Sequence, residues 1–335
     1  FDYVRGTTAN GGLLVVEDGR LVFERYFGKG SREATPNWAS VGKSVTSVAA
    51  GILLDEFWRV LPEGLDMKVG TPMCLPSEAF PFDDQRKTEM RLGQVLSMTA
   101  GIRGNNPGVV RGVAVELDPP GPDGAAAMRD EAAFRGSLWC EPGGGFSYAT
   151  ASAHLASVVI RTVAEMELEE YVRMKLAEPL GWSRWGYGYG AHRLPHTPGG
   201  GGIVMRATDM ARFGYLLLKE GEWAGRRVVS RDFVRACRRR TYNPHTAYGL
   251  QFELGEDGDA YWKSGSGGHS LCMAPSAGLV VVKVGGRDGQ YAPSDTGLPE
   301  ARPGHGVRAL PAGERDAAKA VRETLRLTAA ALRER

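Results

Sequence analysis

Cysteine is scarce in this chain: Cys74, Cys140, Cys237 and Cys272 are the only four in 335 residues. They are widely separated and form no Cys-x-x-Cys pair, which excludes the spacings of zinc ribbons and of dithiol redox motifs. No apolar run reaches the ~18 residues that a membrane-spanning helix needs, so no span is expected. No solenoid or propeller period recurs. Charge of one sign is not in excess either: 41 Lys plus Arg face 39 Asp plus Glu, a formal net charge of +2. That balance singles out neither nucleic acid nor an acidic membrane surface as a partner. The run Arg238-Arg239-Arg240 reads as a solvated helix end. Composition is otherwise ordinary for a globular chain, at 42% hydrophobic and 24% charged. The length suffices for a substantial core in one domain or two lobes. The first residue is Phe1, and location is left open: periplasmic or secreted if a leader preceded it, cytoplasmic otherwise.

Two ligand signatures are incomplete. Gly42-Lys43-Ser44 ends like a Gly-x-x-x-x-Gly-Lys-Ser phosphate loop, but the first glycine falls at Asn37. Its loss removes the tight phosphate-cradling turn. His192 and His196 stand four apart, yet Pro195 opposes the helix that would put both on one face, and no Glu follows His192. No metal and no cofactor is therefore expected.

What is present begins at Ser40-Val41-Gly42-Lys43, which opens an apolar run from Val45 to Phe57. If the run is helical, residues three apart share a face, and Ser40 and Lys43 come within hydrogen-bond reach. A serine hydroxyl needs an adjacent base to act as a nucleophile at neutral pH. A lysine can be that base once burial or a neighbouring cation lowers its pKa. The bland reading is a capping serine followed by an exposed lysine.

Two further stretches follow in order. A Pro-Gly-rich turn, Glu141 to Gly145, leads to Tyr148 and a helical-looking segment from Ala151 to Ala164. A phenol near lysine ammoniums loses its proton more easily and can relay protons; the alternative is a packed tyrosine at a helix entry. Tyr261-Trp262-Lys263-Ser264-Gly265-Ser266-Gly267-Gly268-His269 lies between a strand expected over Tyr248 to Leu254 and one over Gly278 to Gly286. Lys-Ser-Gly on a strand beside a cleft offers a cation, a hydroxyl and an unobstructed backbone; alone it is also a glycine-rich hairpin with a solvated lysine. Trp139, Trp262 and His269 flank these stretches and read equally well as packing, and Trp38 reads as core.

Taken together, the order Ser-x-x-Lys, Tyr, Lys-Ser-Gly resembles the penicillin-recognising serine hydrolases. The branch it resembles most is that of the class C β-lactamases, with their related esterases, DD-peptidases and 6-aminohexanoate-dimer hydrolase. Leu96 to Ile102 and Gly202 to Gly214 also resemble segments of that branch. The resemblance implies Ser40, Lys43 and Tyr148 as catalytic residues and the backbone N–H groups of Ser40 and Ser266 as oxyanion hole. It further implies Thr150, Lys263, Ser264 and Gly265 as substrate-binding residues, and His269, beside the Lys-Ser-Gly stretch, is added as a candidate to bond a leaving group. One position departs from the pattern. Where the family has Tyr-x-Asn, this chain has Tyr148-Ala149-Thr150, which keeps a hydroxyl but loses the amide donor and acceptor. The expected activity is therefore acyl-enzyme hydrolysis of a small-molecule carboxylic ester or small amide. A β-lactamase or DD-peptidase ranks below it, and a non-catalytic homologue that binds peptidoglycan or a partner ranks last. Oligomeric state is left open.

The expected fold is α+β, β-lactamase/transpeptidase-like: an antiparallel sheet flanked by helices, plus an all-α lobe. Residues 1–39 and 202–335 would form the sheet lobe and 40–201 the mainly helical lobe, with the active site in the cleft between them. Strands are expected at Gly11 to Glu17 and Arg20 to Phe27 around Asp18-Gly19. Helices are expected at Ala207 to Glu220 and Ala312 to Arg333. Leu117 to Gly124 and Gln290 to Pro311 are expected as loops.

Overall fold

The N-terminal hairpin closes through Asp18-Gly19, whose φ angles of 46° and 82° are both left-handed. A two-residue turn of that kind matches the twist of its strands, and Asp-Gly is a favoured pair for it. The computed structural model describes residues 1–188, 194–291 and 317–334. Strands β1 (Gly11–Glu17) and β2 (Arg20–Phe27) flank the turn, and the short helix α1 (Asp2–Thr7) precedes them. Helices α2 (Gly42–Glu56), α3 (Thr150–Ala164) and α4 (Ala207–Leu218) follow. Then come β3 (Glu253–Leu254), β4 (Tyr261–Gly265), β5 (His269–Ala274) and β6 (Leu279–Val284). Helix α5 (Ala317–Arg333) ends the chain. The six strands form one antiparallel sheet in the order β2-β1-β6-β5-β4-β3. The architecture is α+β, an antiparallel sheet flanked by helices.

Both sheet faces are covered, which explains strands that read as nearly continuous apolar runs. In β1, Leu14 and Val16 point into the main core with α2 and α3, while Leu13 and Val15 point the other way. The second face packs on Val4 of α1 and Val321 of α5. Side chains alternate across a strand, so a strand covered on both sides needs apolar residues at every position. Helix α2 is buried from Gly42 through Leu53. A helix buried all round is a central one, and its polar residues are satisfied internally: Ser47 donates to Leu250 O at 2.9 Å and Thr46 to Gly199 O at 2.8 Å.

The structure departs from the sequence-based expectation in places. Tyr248 to Leu254 is not one strand. Tyr248 bridges Glu253 across a tight turn in which Gly249 N–H donates to Phe252 O and Gln251 takes a φ of 68°. The apolar pattern there comes from Leu250 and Phe252 buried in the turn, not from an extended run. The helix-rich middle also contains a strand pair, Gly108–Val110 with Val113–Val115. Trp185–Tyr187 pairs with Ile203–Met205. These strands are too short for periodicity to reveal. The expected loop over Gln290 to Pro311 and the first residues of the expected C-terminal helix lie largely outside the described residues.

Candidate active site

Ser40 sits in a single 3-10 turn, Ala39–Val41, that runs directly into α2. Ala39 has a φ of 49°, a left-handed conformation that costs a non-glycine residue ~1–2 kcal/mol. Its surroundings hold it there. Asn37 Oδ1 accepts from Ala39 N–H at 2.9 Å, and the fully buried Trp38 donates from Nε1 to Met205 O at 2.8 Å. Gly265 of β4 closes on the same turn, because a Cβ there would collide with the carbonyl oxygen of Trp38. The turn that carries Ser40 and the Lys-Ser-Gly strand are thus in close contact.

Lys43 is buried, with Nζ 2.9 Å from Ser40 Oγ and donating to Gly200 O at 2.6 Å. Burial pushes its pKa below the ordinary lysine value; Tyr148 opposes this and the cation of Lys263 adds to it. Gly200 was not singled out from the sequence. A Cβ there would lie 2.5 Å from Thr150 Cγ2, so any side chain at this position would have to displace Thr150. Thr150, in the position where the family places Asn, therefore packs its methyl on the loop whose carbonyl holds Lys43. The loop itself is anchored from α3. Gly199 N–H donates to His154 Nδ1 at 3.2 Å, so the ring carries its proton on Nε2, which faces Asp130 Oδ1 at 3.0 Å. Arg161 also donates to Asp130.

Tyr148 lies between two lysines, with Lys263 Nζ 4.6 Å and Lys43 Nζ 5.2 Å from its ring centroid. Burial raises the phenol pKa, but the charge of Lys263 first, then Lys43 and hydrogen bonding with Ser40 and Lys263, outweigh it and bring it down to about 8. Lys263 is fully buried and donates to Tyr248 Oη at 2.9 Å. Burial disfavours its charge, yet Tyr148, Tyr248 and Glu253 reverse that and hold its pKa well above the ordinary value. The site therefore pairs one lysine biased towards the neutral amine with one held as a cation. A neutral amine beside a hydroxyl can take its proton, and a phenol of low pKa can pass one on.

Ser40, Tyr148, Glu253, Ser264, Gly265, Ser266 and His269 line one cleft. Ser40 and Ser266 also line an adjoining recess with Lys43, Thr150 and Gly200. His269 is 1% exposed. Its Nδ1 accepts from Gly285 N–H at 3.1 Å, its Nε2 lies 3.2 Å from Gln290, and burial pushes its pKa down to about 3. That leaves a neutral, internally engaged ring at the cleft wall. Trp262 donates to Glu253 and packs under α5, and Trp139 packs on Gly108 and Gly145. Of the two spaced histidines, His196 pairs with Glu167 at 2.8 Å and His192 lies outside the described residues. Among the described residues no cluster of His, Cys, Asp or Glu suits a metal ion, and no helix is long and apolar enough to cross a membrane. The four cysteines are free thiols. Sequence reasoning missed Gly200, Tyr248 and Glu253. The glycine run Gly199 to Gly202 was the one available signal.

Known structures share this architecture. One from Bacteroides dorei DSM 17855, named a "putative beta-lactamase", superposes with a TM-score of 0.70 at 18% identity, covering 95% of this chain and 94% of that one. A "putative 6-aminohexanoate-dimer hydrolase" from Bacillus anthracis gives 0.66 at 22%, over 85% and 75%. EstCE1, a hydrolase with promiscuous acyltransferase activity, gives 0.63 at 18%, over 85% and 90%. No curated relative matches the sequence. The fold is beta-lactamase/transpeptidase-like, as the sequence resemblance implied. The beta-lactamase sequence profile matches residues 4–299, so the chain belongs to the beta-lactamase family.

Proposed function

We propose that the protein is a serine hydrolase that cleaves a small carboxylic ester or amide through an acyl-enzyme on Ser40. The observation that carries this reading is the 2.9 Å approach of Lys43 Nζ to Ser40 Oγ, with Lys43 depressed in pKa. Lys43 and Tyr148 together take the Ser40 proton as Oγ bonds to the substrate carbonyl carbon. The resulting oxyanion accepts from the backbone N–H groups of Ser40 and Ser266. The proton then passes to the leaving alcohol or amine as the scissile bond breaks. Water attacks the Ser40 ester, gives its proton to the same pair, and releases the acid with Ser40 restored. Lys263 stays charged throughout and holds the Tyr148 phenol at a low pKa. Thr150 and Gly265 shape the cleft walls. EstCE1 and the 6-aminohexanoate-dimer hydrolase, by their names, represent hydrolytic chemistry on this fold.

Ester or small-amide cleavage ranks above β-lactam hydrolysis because Thr150 offers no carboxamide at the recess beside Lys43. The test is intact-protein mass spectrometry after treatment with a fluorophosphonate and, separately, a penicillin. Fluorophosphonate should add one adduct on Ser40, and Ser40→Ala should lose both the adduct and turnover while keeping its fold. Rapid, stable penicillin labelling would favour a penicillin-binding protein instead. No adduct from either reagent would overturn the hydrolase reading.

A further inference from the structure

The carboxylate of Glu253 occupies the donors of the Lys-Ser-Gly strand. Its Oε1 accepts from Ser264 N–H at 3.2 Å and lies 3.8 Å from Lys263 Nζ. Its Oε2 accepts from Ser264 Oγ at 3.0 Å and from Trp262 Nε1 at 2.5 Å. The backbone explains why. Strand β3 pairs with β4 only at Leu254–Tyr261 and Glu253–Trp262 and then turns away. The next outward N–H of β4, that of Ser264, has no partner strand, and the Glu253 side chain supplies the missing acceptor. Its side chain stays 24% exposed and lines the same cleft as Ser40 and Tyr148.

We infer that Glu253 is a specificity-determining residue that fills, with the protein's own carboxylate, the place where the strand would otherwise receive a substrate carboxylate. This rests on the proposed acyl-transfer site at Ser40. A substrate carboxylate placed against Ser264 meets hydroxyl and N–H donors already engaged, and a like charge whose repulsion at short range is weakly screened in a partly buried site. Uncharged groups meet no such opposition. The preferred substrate class is therefore an ester or amide with no carboxylate near the scissile bond. Lys283, Arg287 and Lys319 also line the cleft, so the discrimination is local to the β3–β4 wall and not a property of the whole cleft.

The test uses two matched pairs, because either end of the substrate can lie against Ser264. These are p-nitrophenyl butyrate with p-nitrophenyl hydrogen succinate, and phenyl acetate with 3-carboxyphenyl acetate. For at least one pair, the wild-type protein should favour the uncharged member at least tenfold in kcat/KM. Glu253→Gln, which keeps size and an acceptor but loses the charge, should shrink that preference at least tenfold. Glu253→Ala should do the same. Preferences unchanged within twofold in both variants, with Ser40 still labelled by fluorophosphonate, would overturn the role of Glu253 and leave the hydrolase reading standing. Failure to label wild-type Ser40 would overturn both. If the variants do not fold, wild-type inhibition by phenylboronic and 3-carboxyphenylboronic acid decides: weaker inhibition by the carboxylate supports the inference, and tighter inhibition overturns it.

Discussion

Replacing Lys263 with Met tests the electrostatic logic of the site directly. Methionine nearly matches the lysine stem in length and shape, so the change removes a charge from a fully buried position with little loss of packing. The lost ammonium lies 4.6 Å from the Tyr148 ring centroid. At an effective dielectric of about 20, a cation at that range stabilises a phenolate by on the order of 3 kcal/mol, or about two pKa units. The sign follows from the charge: without the cation the phenolate is less favoured, so the phenol pKa rises from about 8 towards about 10. Lys43 remains beside the ring; losing Lys263 removes one cause of its depressed pKa, but burial, the largest cause, stays, so it substitutes poorly. At pH ~7.5 the phenolate fraction should fall roughly 50- to 100-fold. The assay is the pH profile of kcat/KM on a neutral ester between about pH 6 and 10. Its rising limb should move to higher pH by about two units. Tyrosinate absorbance, corrected with a Tyr148→Phe control, should move with it. A rising limb within half a unit or so of the wild-type position would refute the claim that Lys263 sets the phenol.

Two stability predictions follow. Gly265→Ala places a methyl against the Trp38 carbonyl, a backbone atom that cannot yield; it should cost about 2 kcal/mol in denaturant unfolding and lower kcat/KM at least tenfold. Asp130→Asn removes the anion that pairs with both His154 and Arg161 and should destabilise by about 2 kcal/mol. Burial raises the Asp130 pKa, but His154 and Arg161 more than offset it and hold it at about 2, below the ordinary carboxylate value of 3.8. Its contribution is thus present above about pH 4 and lost as pH falls towards 2. Acid unfolding curves of the wild type and Asp130→Asn should converge below that window.

The parts of the fold legible in the sequence are those governed by local pattern. Asp18-Gly19 and the apolar runs beside it gave the hairpin, and the largely apolar run in α2 matches its burial from Gly42 through Leu53. The approach of Ser40 to Lys43 was legible because three residues make one turn of helix. What was not legible depends on chain path. Glu253 reaches Ser264 from a turn in which Gln251 takes a left-handed backbone and the chain reverses, a choice that composition does not reveal. Tyr248 meets Lys263 from the same turn. Gly200 looked like one glycine among several, since its close contact, with Thr150, spans fifty positions.

The hold on Lys43 has an evolutionary consequence. A side-chain amide that steadies a base can be lost in a single codon change, and the base then drifts. Here the acceptor is the main-chain carbonyl of Gly200, and every amino acid carries a carbonyl. No substitution deletes it; only rerouting the loop can. Position 150 takes no part in that hydrogen bond and meets the loop through packing alone, its methyl lying against Gly200.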